Sequence, residues 1–99
     1  MTIKKEITGD KLTLTMEGRL DTATALQLEG DLLPALGKYQ IVEMDFAEVS
    51  YVSSAGLRVL LMGEKAAIAN NTRQTLRNVS PQIMDVFEIT GFSATLNIE

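Results

Sequence analysis

The chain has 99 residues, 45% hydrophobic and 22% charged, with a formal net charge of −4, which suits one globular domain with a single core. It contains no cysteine and no histidine, which excludes disulfides, thiolate nucleophiles, thiolate or imidazole metal sites and phosphohistidine. The acidic balance and the five aromatic residues, none of them Trp, argue against a nucleic-acid binder.

No stretch approaches the about 20 apolar residues of a membrane span, and "MTIKKEITGD" has no apolar segment behind its lysines, as a signal peptide would. The expected location is the cytoplasm. One domain over residues 1–99 is expected.

Residues 2–8, "TIKKEIT", predict a short strand with Ile3 and Ile7 on one face and Lys5 sharing it, which suits an edge position. "GD" at 9–10 signals a hairpin turn. Over 11–17, Leu12, Leu14 and Met16 alternate with Thr13, Thr15 and Glu17, the pattern of a half-buried strand. Asp21 or Thr22 can then cap a helix whose stripe is Ala25, Leu28, Leu32, Ala35 and Leu36. Pro34 predicts a kink before an end near Gly37, and Gly30 leaves room for it.

Residues 40–46, "QIVEMDF", mix apolar parities and predict a strand buried on both faces. Ser53 or Ser54 opens a second helix to about Ala69, with Leu57, Leu60, Leu61, Glu64 and Ile68 at the spacings of one face. "RQTLRN" at 73–78 predicts a strand. "SPQIMDVFEITGF" predicts a helix capped by Ser80, with Pro81 in its first turn, Ile83, Val86 and Phe87 inward, and Gly91 as its stop. "ATLNI" predicts a closing strand. The fold class is α/β, in the order β-β-α-β-α-β-α-β, with a mostly parallel sheet and right-handed crossovers.

Chemistry is sparse, and each candidate has an ordinary structural role. Ser54, placed just before a helix, would cap it. Gly56 in the first turn is the odd residue, because glycine there costs roughly 0.5–1 kcal/mol unless something must come close. A phosphate on Ser54 would meet free amides and the positive end of the helix dipole. Asp21 and Asp45 both lie toward the carboxyl end of the sheet, where α/β proteins place their sites. Asp21 can be read as a cap and Asp45 as a hydrogen-bond acceptor for a neighbouring loop. The two could also serve as acid and base, which would require a pocket between them.

Three stretches together resemble one family. "EGRLDTATALQLE" resembles the approach to the first helix of STAS domains, and "LRNVSPQIMDVFEITGF" their fourth strand and third helix. "VEMDFAEVSYVSSAGLRVLL" resembles their strand, loop and second helix, including the Asp-Ser-Ser/Thr-Gly-Leu phosphorylation motif of anti-sigma factor antagonists. Aligned on Gly56, Ser54 falls on the phosphorylated serine, Ser53 on the usual aspartate and Ala55 on the second Ser or Thr. Asp21 matches an acidic position near the site.

The resemblance implies a STAS fold and a partner-switching regulator rather than an enzyme, with no cofactor, no metal and no catalytic residue. The unmodified protein would bind an anti-sigma factor that is also a serine kinase of the GHKL type, and phosphorylation of Ser54 would release it. A PP2C-type phosphatase would reset it. Asp21, Ser53, Ser54, Ala55, Gly56, Leu57 and Arg58 are the implied partner-binding residues. An alternative within the family is a non-phosphorylated accessory subunit of a lipid-transport ATP-binding cassette complex.

Overall fold

The computed structural model describes all 99 residues. Strands β1 (Thr2–Thr8) and β2 (Lys11–Leu20) form an antiparallel hairpin turned at Gly9, whose φ of 59° suits glycine. Helix α1 (Thr22–Leu36) crosses to β3 (Ile41–Val52), which runs parallel to β2. Helix α2 (Ser54–Ala69) crosses to β4 (Arg73–Arg77), parallel to β3. Helix α3 (Pro81–Ile89) and a 3-10 turn at Phe92–Ala94 complete the chain, and the sheet order is β1-β2-β3-β4.

The alternating strands put Leu12, Leu14 and Met16 beside Val42 and Met44 on one buried face, with Leu76 of β4 level with Met44. All three helices cover that face. The α1 stripe is the expected one, and Phe87 of α3 meets Phe46 edge-on with centroids 6.5 Å apart. The opposite face is polar. There Glu43 of β3 is bridged by Lys11 and Arg77, each at 3.1 Å. Burial alone would raise the Glu43 carboxyl, but these two cations outweigh it and hold the group below its ordinary range. At the free edge, Lys5 reaches α1 through an ion pair with Asp31 at 2.9 Å.

Several expectations are corrected. Strand β3 is apolar on one face only: Val42, Met44 and Phe46 point to the helices, while the other face carries Glu43, which is buried, and the half-buried Asp45. Both central strands outrun their expected ends, β2 to Leu20 and β3 to Val52, because two register shifts let them stay paired past the end of β4. Helix α1 continues through Pro34 and ends at Leu36 with Gly37 as its C-cap, the expected end, and the proline forfeits a single bond, to Gly30. The closing strand contracts to one parallel bridge between Leu76 and Ile98, because Gly91 at φ 81° and the turn after it use up the residues that would extend it.

The buried face of α2 is also rotated from the expected one. It consists of Gly56, Leu57, Val59, Leu60, Gly63 and Ala67, while Ile68 is 69% exposed. Small residues set this face, and they carry no hydrophobic signal. A Cβ on Gly63 would overlap Gln74 Oε1 and lie 2.8 Å from Leu32 Cδ2. Gln74 is itself fully buried and donates through Nε2 to the Leu60 carbonyl at 2.9 Å.

Glu64, on the flank of α2, has Oε1 buried without a hydrogen-bond partner. Burial raises its carboxyl above the ordinary range, and the Asn97 backbone amide only partly offsets this. The folded state therefore holds this proton more tightly than the unfolded one. The resulting stability is present at low pH and is lost as pH rises to the folded-state value. Glu64→Gln is expected to raise the melting temperature by a few degrees at neutral pH and to have no such advantage in acid. Melts of both proteins across that range check it; a difference independent of pH counts against the assignment.

Candidate functional site

Strands β2 and β3 end level with each other, Leu20 opposite Val52, so α1 and α2 start side by side at the carboxyl end of the sheet. The two junctions are tied together. The Ser53 amide donates to the Leu20 carbonyl at 2.8 Å. A Cβ on Gly56 would lie 2.7 Å from Leu20 Cγ and 3.0 Å from the Leu20 carbonyl oxygen. The close approach that Gly56 permits is therefore internal: it seats the first turn of α2 on the end of β2.

Asp21 is the N-cap of α1. Its Oδ1 accepts from the Ala23 and Thr24 amides, both at 3.1 Å, while the Thr24 hydroxyl accepts from the Asp21 amide at 2.9 Å. The Thr24 amide, the Thr24 hydroxyl, the Ala23 amide and nearby Arg19 hold the carboxyl below its ordinary range, against a smaller opposing effect of burial. The cap's charge-linked stability is present above the ordinary carboxylate pKa and fades as pH falls through the lowered one. Asp21→Asn keeps a good capping oxygen. It is expected to melt like the wild type at neutral pH with a shallower loss of stability in acid, measured by the same melts; equal acid limbs would count against the assignment.

The capping assignment in α2 is corrected. Ser53, not Ser54, is the N-cap: Ser53 Oγ accepts from the Gly56 amide at 3.2 Å. Ser54 is the first residue of the helix and is exposed, and its hydroxyl makes no hydrogen bond within the chain. The reason is geometric, since the capping residue must be extended and Ser53 is, at φ −87°, ψ 173°. Asp and Ser rank together as N-caps, so serine at 53 keeps the structural part of an aspartate's role there.

Of the other candidates, Arg58 is exposed, Ala55 is half-buried, and Gly56 and Leu57 are buried. Gly56 and Leu57 thus position the turn and offer no side chain to the surface. Ser54, Ala55 and Arg58 line an open concavity. No acidic residue lies in the first turn of α2.

Asp45 does not join this group. It lies in mid-strand, where Oδ1 accepts from the Ala47 amide at 2.9 Å and from Asn78 Nδ2 at 3.0 Å. Val52, level with the residue before Asp21, is seven positions further along β3, roughly 20 Å at the rise of a strand. The two carboxylates therefore do not converge as an acid–base pair.

Arg19 and Tyr51 are the members of this surface that sequence reading missed. They are cross-strand partners at the strand ends, with the guanidinium 4.2 Å from the ring centroid. The signal for them lay in the full strand lengths, without which Arg19 reads as one more scattered surface charge.

A mostly parallel sheet covered on one face, with two helix starts locked together at its carboxyl end, defines a small α/β domain that presents its polar groups on an open surface. The family model described as "Mlab, STAS domain" matches residues 3–97, and the chain belongs to the STAS domain family. BtrV of Bordetella bronchiseptica is 35% identical over 92 residues, 88% of this chain and 79% of BtrV. The anti-sigma-B factor antagonist of Listeria monocytogenes is 31% identical over 100 residues, 96% of this chain and 84% of that protein.

Among solved structures, the anti-sigma factor antagonist SpoIIAA in its unphosphorylated form matches 99% of this chain and 87% of its own, with a TM-score of 0.79 at 21% identity. The phosphorylated form of Bacillus SpoIIAA matches with a TM-score of 0.77 at 22% identity, over 99% of this chain and 91% of its own. At these identities the likeness shows the shared fold.

Proposed function

We propose that this protein is an anti-sigma factor antagonist, a single STAS domain of the cytoplasm whose partner exchange is controlled by phosphorylation of Ser54. The observation that carries this is the division of labour at 53 and 54: Ser53 caps α2, leaving the Ser54 hydroxyl exposed and unbonded at the first helical position. The Listeria relative's role as an anti-sigma-B factor antagonist supports it. The partner is an anti-sigma factor that is also a GHKL-type serine kinase. It would transfer the γ-phosphoryl group of ATP to Ser54 Oγ, forming the O–P ester, breaking the bond to ADP and releasing the hydroxyl proton. A PP2C-type phosphatase would hydrolyse the ester and restore the hydroxyl. The fold tolerates this modification well, since a phosphate at a helix N-terminus is met by free amides and the dipole.

Incubation with the cognate kinase and ATP, followed by mass spectrometry, is expected to place one phosphoryl group on Ser54 and none on Ser54→Ala. Full uptake by Ser54→Ala would remove Ser54 from the mechanism. A wild type that no kinase modifies and none binds would remove the switch and leave a second reading, the unmodified accessory subunit of a lipid-transport ATP-binding cassette complex. That reading is favoured by Ser53 and Ala55, which stand where the phosphorylation motif has Asp and Ser or Thr.

A further inference from the structure

We infer that Arg58 is the internal counter-ion of a phosphate on Ser54, a pairing that rests on the phosphoacceptor reading of Ser54. Modification then acts twice on the docking surface: it adds an anion and withdraws a cation.

Ser54 and Arg58 lie four residues apart on α2, both exposed, and with Ala55 they are the residues lining a concavity of about 380 Å³. A phosphoryl group on Ser54 Oγ has room within it. Residues four apart on a helix face one another, and an anion on the N-terminal side of a cation is the favourable order. Arg58 is free to respond. The ion pairs of the molecule use Lys5, Lys11 and Arg77. The other cation at this end of the sheet, Arg19, is stacked on Tyr51. With no acidic residue in the first turn of α2, no carboxylate there competes for the guanidinium. Its planar fork can meet two phosphate oxygens at once, which a lysine cannot.

In the unmodified protein Arg58 is exposed and in no ion pair, so it is available to an acidic group on the partner. Once Ser54 carries phosphate, the guanidinium turns to it. The partner then loses a favourable contact and meets a new anion, without any change of fold.

The test uses the full chain with phosphoserine installed at position 54 during translation, in the wild type, Arg58→Gln and Arg58→Lys. The second ionisation of the phosphate is followed by phosphorus NMR, with thermal melts of each protein and its unmodified counterpart. The wild type is expected to titrate about half a pH unit lower than Arg58→Gln, with Arg58→Lys between them. Phosphorylation should raise the melting temperature more in the wild type than in Arg58→Gln, while the unmodified proteins melt alike. Superimposable titrations of the three would overturn the pairing. Since no kinase takes part, that failure is distinct from a failure of the phosphoacceptor reading, which would show as a kinase that leaves Ser54 unmodified.

Discussion

Gly63→Ala is expected to cost about 3 kcal/mol of stability and to lower the melting temperature by roughly 12–24 °C. The added methyl would overlap Gln74 Oε1 and press on Leu32 Cδ2, the ends of two fully buried side chains. Either Gln74 turns aside, breaking its hydrogen bond to the Leu60 carbonyl, or helix α2 lifts from β4 and α1. Calorimetry checks this. A loss below about 3 °C would mean the contact between α2 and its neighbours is looser than the buried Gln74 implies. Adding Gln74→Ala should restore part of the loss, because it removes the overlapping atom.

The second large effect is on binding. Phosphorylation of Ser54 is expected to weaken the complex with the kinase partner about a thousandfold. One unit repulsion at 4 Å and an effective dielectric near 20 is about 4 kcal/mol, and phosphate brings about −1.5 to −2 charges. Ser54→Asp adds a smaller charge closer to the backbone and should weaken binding in the same direction by less. Ser54→Ala should bind like the unmodified wild type, since that hydroxyl supports nothing within the fold. Titration calorimetry on the four proteins checks the order. If the phosphorylated protein binds within threefold of the unmodified one, repulsion at Ser54 is not the switch.

Much of the fold is readable from the chain because its signals are local. The alternation at Leu12–Met16, the stripe from Ala25 to Leu36 and the Ser80–Pro81 helix start each follow from period or capping chemistry. What escapes is tertiary. The inward face of α2 carries Gly56, Gly63 and Ala67, and the lack of bulk at Gly56 and Gly63 matters only against Leu20, Leu32 and Gln74. The ends of β2 and β3 escape because bulges hide the alternation. At the candidate site, the two serines at the start of α2 were legible as a helix start, and which of them caps it was not. Which of two adjacent serines caps a helix depends on where the chain leaves its extended conformation, one residue earlier than local pattern suggested.

That division also bears on kinetics. The bond from the Ser53 amide to Leu20 and the seat of Gly56 on the same residue fix both helix starts before any partner arrives. A surface already in its bound shape needs no ordering step, so the unmodified protein should associate at the ordinary docking rate of about 10⁵–10⁷ M⁻¹s⁻¹. Phosphate should slow encounter only through its charge, an effect that added salt screens. Stopped-flow traces should show the two on-rates converging as salt rises, with the remaining difference in how fast the phosphorylated form leaves.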